Sequence, residues 1–169
     1  MSIRLYVFIF ALALCNRVDG AARQNSVLKP FRQPYDLSVP ERDRLVDRAL
    51  TGNATAALTL YDYYTFIEKQ PHLREKFLRI GVQAGSKIAY DALIAFYVKP
   101  GGIFRPYEAL TLRRERNRHF ASKPLVPESV WAYEASKEFR YSNSRKDFGR
   151  RKDLLRLAES LGSQAAKTE

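Results

Sequence analysis

Phe77, Ile80, Gly81 and Ala84 stand at i, i+3, i+4 and i+7, which is one face of an α-helix, and Gly85 follows where a helix end favours a residue tolerant of positive φ. The stretch returns 77 residues later. Phe77, Leu78, Arg79, Ile80, Gly81 and Ala84 align with Leu154, Leu155, Arg156, Leu157, Ala158 and Leu161, and Gly85-Ser86 with Gly162-Ser163. Apolar positions stay apolar. One such helix cannot bury its face alone, so the copies imply stacked neighbours.

The rest of the chain reads as helices between short breaks. Ser38 can cap a helix with Pro40 in its first turn and Glu41 three residues on; this helix runs to about Leu50, buries Leu45, Val46, Ala49 and Leu50, and stops at Gly52. Ala54 to Phe66 is the next helix. Here a second match appears, at a shift of 33, pairing Gly52, Ala56, Leu60 and Tyr64 with Gly85, Ala89, Leu93 and Tyr97. Lys99-Pro100-Gly101-Gly102 is a loop, and Pro106 to about Phe120 a helix whose second half is densely basic. After a loop at Lys123–Pro127, Glu128 to Tyr141 reads as a helix with Trp131, Ala135 and Phe139 on one side. Ser142-Asn143-Ser144 turns the chain into the last long helix, and Ala165 to Glu169 starts a further repeat or caps the end.

The period of 33, with Gly, Ala, Leu and Tyr on a first helix and an apolar second helix ending in Gly, resembles the Sel-one-like repeats, a tetratricopeptide-related family. Those repeats open their second helix with a Lys-Asp-Tyr-like start at a fixed distance from the closing Gly. Lys146-Asp147-Phe148 before Gly162 has that spacing, as does the more divergent Lys69-Gln70-Pro71 before Gly85. The resemblance covers residues 52 to 98 and 128 to 166. It implies an all-α fold, a short α/α solenoid of about three helical hairpins with a disturbed middle repeat. The third copy departs from the pattern, with Tyr133, Lys137 and Tyr141 where Ala, Leu and Tyr are expected, as if its first helix were shifted in register.

Residues 1–22 differ in kind from the rest. Arg4 precedes an apolar run from Leu5 to Leu14, and a polar patch then leads to Gly20, Ala21 and Ala22, the pattern of a secretory signal peptide. Cleavage after Gly20 or after Ala22 removes Cys15, the only cysteine. Leu14 is too large for the small position before a lipid-modified cysteine. The expectation is an exported, periplasmic protein with an extended proline-rich arm over 23–40 and a helical repeat domain over 41–169.

Without residues 1–22 the chain keeps 27 Lys and Arg against 17 Asp and Glu. The excess is uneven: residues 23–98 carry 11 basic and 8 acidic residues, and residues 99–169 carry 16 and 9. Such a balance fits an acidic protein or an anionic lipid surface as partner, and nucleic acid least, given export.

Residues 23–169 lack cysteine, and His72 and His119 show no ligand spacing, so neither a metal nor another cofactor is expected. No nucleophile elbow or phosphate-cradling glycine loop occurs, and carboxylates such as Glu41, Asp43 and Asp47 read as parts of charged helix faces. The sequence therefore points away from an enzyme and toward recognition. The candidate partner-binding residues are Tyr61, Tyr63, Trp131 and Tyr133 on first helices, and Arg113, Arg114, Arg116, Arg118, Arg140 and Arg145 near them, since Tyr, Trp and Arg dominate interface hot spots. For each aromatic, repeat core is the competing reading.

The resemblance carries the expectation further, because small exported Sel-one-like proteins include immunity proteins that neutralise antibacterial effectors, for instance those of type VI secretion systems. The partner expected is then a toxin with an acidic surface. A periplasmic regulator or scaffold of envelope machinery is the alternative reading, and adsorption to anionic lipid or cell-wall polymer a third.

Overall fold

The computed structural model describes residues 35–120, 126–142 and 144–169. The readings placed on residues 1–34, the signal peptide and most of the extended arm, lie outside the described residues. Eight helices and no strand occur among the described residues: α1 (Val39–Leu50), α2 (Ala54–Phe66), α3 (Pro71–Gln83), α4 (Lys87–Val98), α5 (Pro106–Phe120), α6 (Glu128–Lys137), α7 (Arg145–Ser160) and α8 (Gln164–Lys167). Sequence neighbours pack pairwise. Helices α2 with α3, α4 with α5, and α6 with α7 form three hairpins, α1 packs on α2, α3 on α4, and α8 on α7. The arrangement is an all-α, repeat-like α/α fold.

One joint recurs three times. Gly52, Gly85 and Gly162 take φ of +92°, +73° and +92°, a region only glycine enters without strain. The next residue's N–H then reaches back five positions, Asn53 to Arg48 O, Ser86 to Gly81 O and Ser163 to Ala158 O, at 3.0, 3.0 and 2.9 Å. This closes the last turn of the preceding helix. The same residue opens the following one: Asn53 Oδ1 accepts from Ala56 N–H at 2.9 Å, and Ser86 and Ser163 Oγ from Ala89 and Ala166 N–H at 3.3 Å. Two adjacent residues therefore end one helix and start the next. The first helix opens on a capping box of Ser38 and Glu41, in which the backbone N–H of Ser38 donates to the Glu41 carboxylate at 2.8 Å, and Pro40 sits in the first turn.

The alanine placed by each joint is buried, and at α3 the approach is close enough to exclude a side chain. A Cβ on Gly81 would lie 2.7 Å from the Cβ of Ala89. Ala158 and Ala166 share a core cluster at the end of the fold, as Ala49 and Ala56 do at its start. Along the first helices, Leu60 and Leu93 are fully buried one turn beyond Ala56 and Ala89. In α6 the fully buried pair at this spacing is Ala132 and Ser136, so the third copy is displaced by one position from the residues aligned by sequence, Tyr133 and Lys137. Helix α6 also ends at Lys137 rather than Tyr141; a turn follows, from which Phe139 enters the central core. In α1, Ala49 is buried as expected but Leu50 is exposed, because only one face of that helix meets α2.

A polar network crosses the middle of the fold. Glu75 on α3 is buried and accepts from Tyr97 Oη at 2.6 Å, Arg79 Nε at 3.0 Å and Arg105 Nη1 at 3.1 Å. Burial pushes the Glu75 carboxyl up, but the hydrogen bonds from Tyr97 and Arg79 and the charges of Arg105 and Arg79 outweigh it, leaving a group more acidic than usual. Burial and the same carboxylate push the Tyr97 hydroxyl well above the ordinary tyrosine range. Glu108 on α5 completes the set, with Arg79 at 2.7 Å. A single carboxylate thus ties α3, α4 and the start of α5 together.

Candidate functional site

The connection between α5 and α6, residues 121–127, contains no glycine, so the glycine-centred joint that closes α3 onto α4 has no counterpart there in the sequence. After Ala109, helix α5 holds no glycine or alanine, and its second half reads Arg113-Arg114-Glu115-Arg116-Asn117-Arg118. A long side chain in place of Gly81 or Ala158 keeps the following helix from nesting, and the α5 and α6 backbones stay apart. Side chains span the gap. The Arg113 guanidinium lies over the Trp131 ring, 5.4 Å from its centroid, and donates to Val126 O at 2.8 Å. Arg114 grips Glu128 through two hydrogen bonds of 2.9 and 2.8 Å.

The result is an open groove of about 380 Å³ bounded by α4, α5 and α6. Ile94, Ala95, Val98, Trp131 and Ala135 provide its apolar lining; Asp91, Lys99, Arg113, Arg116, Glu134 and Glu138 provide its charges. Most of these charges are matched inside the molecule. Arg116 meets Asp91 at 3.0 Å, Glu134 meets Lys137 at 2.6 Å, and Glu138 meets Lys99 at 3.8 Å. Among the described residues, no carboxylate lies at ion-pair distance from Arg113. Burial and the neighbouring Arg116 charge both pull its pKa below the ordinary arginine value. A second cleft, bounded by Tyr61, Arg74 and Phe96 among others, shares Ala95 and Lys99 with the groove. There the Arg74 guanidinium lies 4.8 Å from the Phe96 ring centroid and 5.9 Å from that of Tyr61.

The residues singled out from sequence are dispersed by the fold. Arg113, Arg116 and Trp131 line the groove, and Tyr61 lines the adjoining cleft. Tyr63 is built into the core at 6% exposure, its hydroxyl donating to Glu68 at 2.6 Å beside Arg42, so it offers no surface to a partner. Tyr133 and Arg140 belong to a separate cluster, where Tyr133 Oη donates to Glu169 at 2.9 Å and Arg140 and Arg151 pair with the same carboxylate. The Tyr133 hydrogen bond, with help from Arg151, keeps Glu169 more acidic than usual. Arg114 lies at the α5–α6 gap in its pair with Glu128, and Arg118 and Arg145 are exposed, with no ion pair among the described residues.

Sequence reasoning missed Asp91, Lys99, Glu134 and Glu138, which look like solvated helix-face charges until α4 and α6 are brought to either side of α5. Among the described residues no group of three His, Cys, Asp or Glu side chains is placed to hold a metal ion, and no helix is long and apolar enough to cross a membrane. No protein-family model, curated protein or solved structure matches the chain.

Proposed function

We propose that this is an exported protein-binding repeat protein, and that it neutralises an antibacterial secreted effector by covering the effector's active site or the surface it needs. The observation that carries the reading is the groove between α4 and α6, where an apolar lining containing Trp131 is edged by arginines. Such a combination of large contact area and directed polar groups is what interface hot spots use. The net charge of +11 favours an acidic partner, and the pattern of residues 1–22 favours export to the periplasm.

The finer description of the fold belongs to the same proposal. Three hairpins, the first two joined by a glycine-centred cap that recurs before the first hairpin and after the last, support a short solenoid of the Sel-one-like kind, in which the first helices α2, α4 and α6 line the concave face. The immunity role rests on the sequence resemblance to that family together with the groove.

Affinity capture from the source cell with the tagged full chain tests the function. The expected result is one acidic protein, encoded next to this chain, released as salt is raised, whose toxicity is abolished when the two are mixed. Recovery of no partner at low salt, or of a partner whose activity is unchanged, overturns it.

A further inference from the structure

One cation of the groove has no carboxylate at ion-pair distance among the described residues, Glu128 and Asp91 acting on it only from farther away. Of the three cations along the groove, Arg116 is held by Asp91 and Lys99 faces Glu138, whereas Arg113 is the one without such a pair. Its position is nonetheless fixed. The Val126 carbonyl takes one Nη2 hydrogen bond, the Trp131 ring lies beneath the guanidinium, and Nε is buried without a partner. Both side chains needed to receive a carboxylate beside an apolar contact are therefore already in place.

We propose that the groove recognises an acidic side chain of the partner protein, its carboxylate pairing with Arg113, while a neighbouring apolar side chain of the same segment settles on Ile94, Ala95, Val98 and Ala135. This rests on the protein-binding reading above and names the chemistry that the groove selects. Charge complementarity decides for an acidic segment over a basic one. Asp91, Glu134 and Glu138 already have cationic neighbours, so an incoming lysine would find each carboxylate paired, whereas an incoming Asp or Glu finds a guanidinium that is held by Val126 O and Trp131 but has no ion pair among the described residues. An arginine positioned by stacking also loses little further freedom on pairing, and its planar fork matches a carboxylate with two parallel bonds. Arg118, exposed on the same helix with no ion pair among the described residues, lacks this support and serves as the internal control.

The test is selection of a displayed random 12-residue peptide library on the immobilised full chain, followed by affinity measurement of the selected peptides on variants. The expected result is enrichment of Asp or Glu at one position beside a large apolar residue, with affinity reduced about thirty-fold or more by Arg113→Gln and changed little by Arg118→Gln, which removes the same net charge. Ala95→Leu, which fills the groove without touching Arg113, should weaken the same peptides. Its result stands if Arg113→Gln fails to fold by circular dichroism.

Peptides without an acidic position, equal losses in Arg113→Gln and Arg118→Gln, or unchanged binding in both Arg113→Gln and Ala95→Leu overturn the proposal. The two readings fail separately. A captured effector that binds both groove variants as tightly as the wild type removes the groove assignment and leaves the protein-binding function standing.

Discussion

The junctions α3–α4 and α5–α6 occupy equivalent places in successive hairpins and differ in the side chains between the helices and in the connection, three residues with Gly85 at the first and seven without glycine at the second. At the first, a glycine meets an alanine and the helices close with no room for a methyl group. At the second, Arg113 stands between the helices and a groove opens beside it. Small side chains with a short glycine joint accompany the closed junction, and large side chains with a longer connection accompany the open one. The open junction keeps side-chain bridges, so the core still runs through it: Leu110 of α5 shares a cluster with Ala132 of α6 and Leu157 of α7.

The closed side should be the easier to break. Gly81→Leu forces α4 away from α3 and should cost about 3 kcal/mol, seen as a lower urea midpoint; a loss under about 1 kcal/mol would mean that the junction yields. Glu75→Gln takes the charge from the network that supports the closed side and should cost about 2 kcal/mol in the same assay. The pH dependence has a definite sign. Because the folded carboxyl is more acidic than an ordinary glutamate, its contribution is complete above the ordinary glutamate range and disappears as pH falls through the folded pKa. The wild type should therefore lose its advantage over Glu75→Gln in that acid range and keep it at neutral pH.

Asn53→Ala removes one cap from a joint and should cost about 1 kcal/mol in thermal melts. On the open side the effects shrink. Arg113→Ala should lower stability by only about 0.5 kcal/mol, the worth of a partly exposed cation–π contact, while removing peptide binding. Arg114→Ala, which breaks an exposed ion pair, should leave the melting temperature within error of the wild type. A larger stability loss from Arg113→Ala than from Gly81→Leu would reverse the comparison.

The helices were legible because their information is local: the spacing of Phe77, Ile80 and Gly81 and the Gly-Ser pairs specify where α3 runs and stops. Tyr63 was misread because one position decides the matter on a helix, and the burial of its ring follows from contacts across α1 and α2 that no local pattern encodes. The misfit of Tyr133 and Lys137 signalled that α6 is shifted in register, but not by how much, because its buried positions carry Ala132 and Ser136, too small and too polar to register as apolar periodicity. The groove was only partly legible. Arg113, Arg116 and Trp131 stood out by residue type, but Asp91, Lys99, Glu134 and Glu138 become one site only through the separation of α5 and α6, which three-dimensional packing sets.

The recurrent joints also bear on how such a chain grows. Gly52-Asn53 and Gly85-Ser86 share one backbone geometry and one set of hydrogen bonds, so the 33 residues 53–85 are one period bounded by the same joint at each end. Excising them would join Gly52 to Ser86 and recreate a joint of the same chemistry at the seam. A gene encoding this chain could gain or shed a hairpin by unequal recombination at these points without inventing a new turn, whereas the stretch after α5, which has no such glycine, offers no equivalent seam.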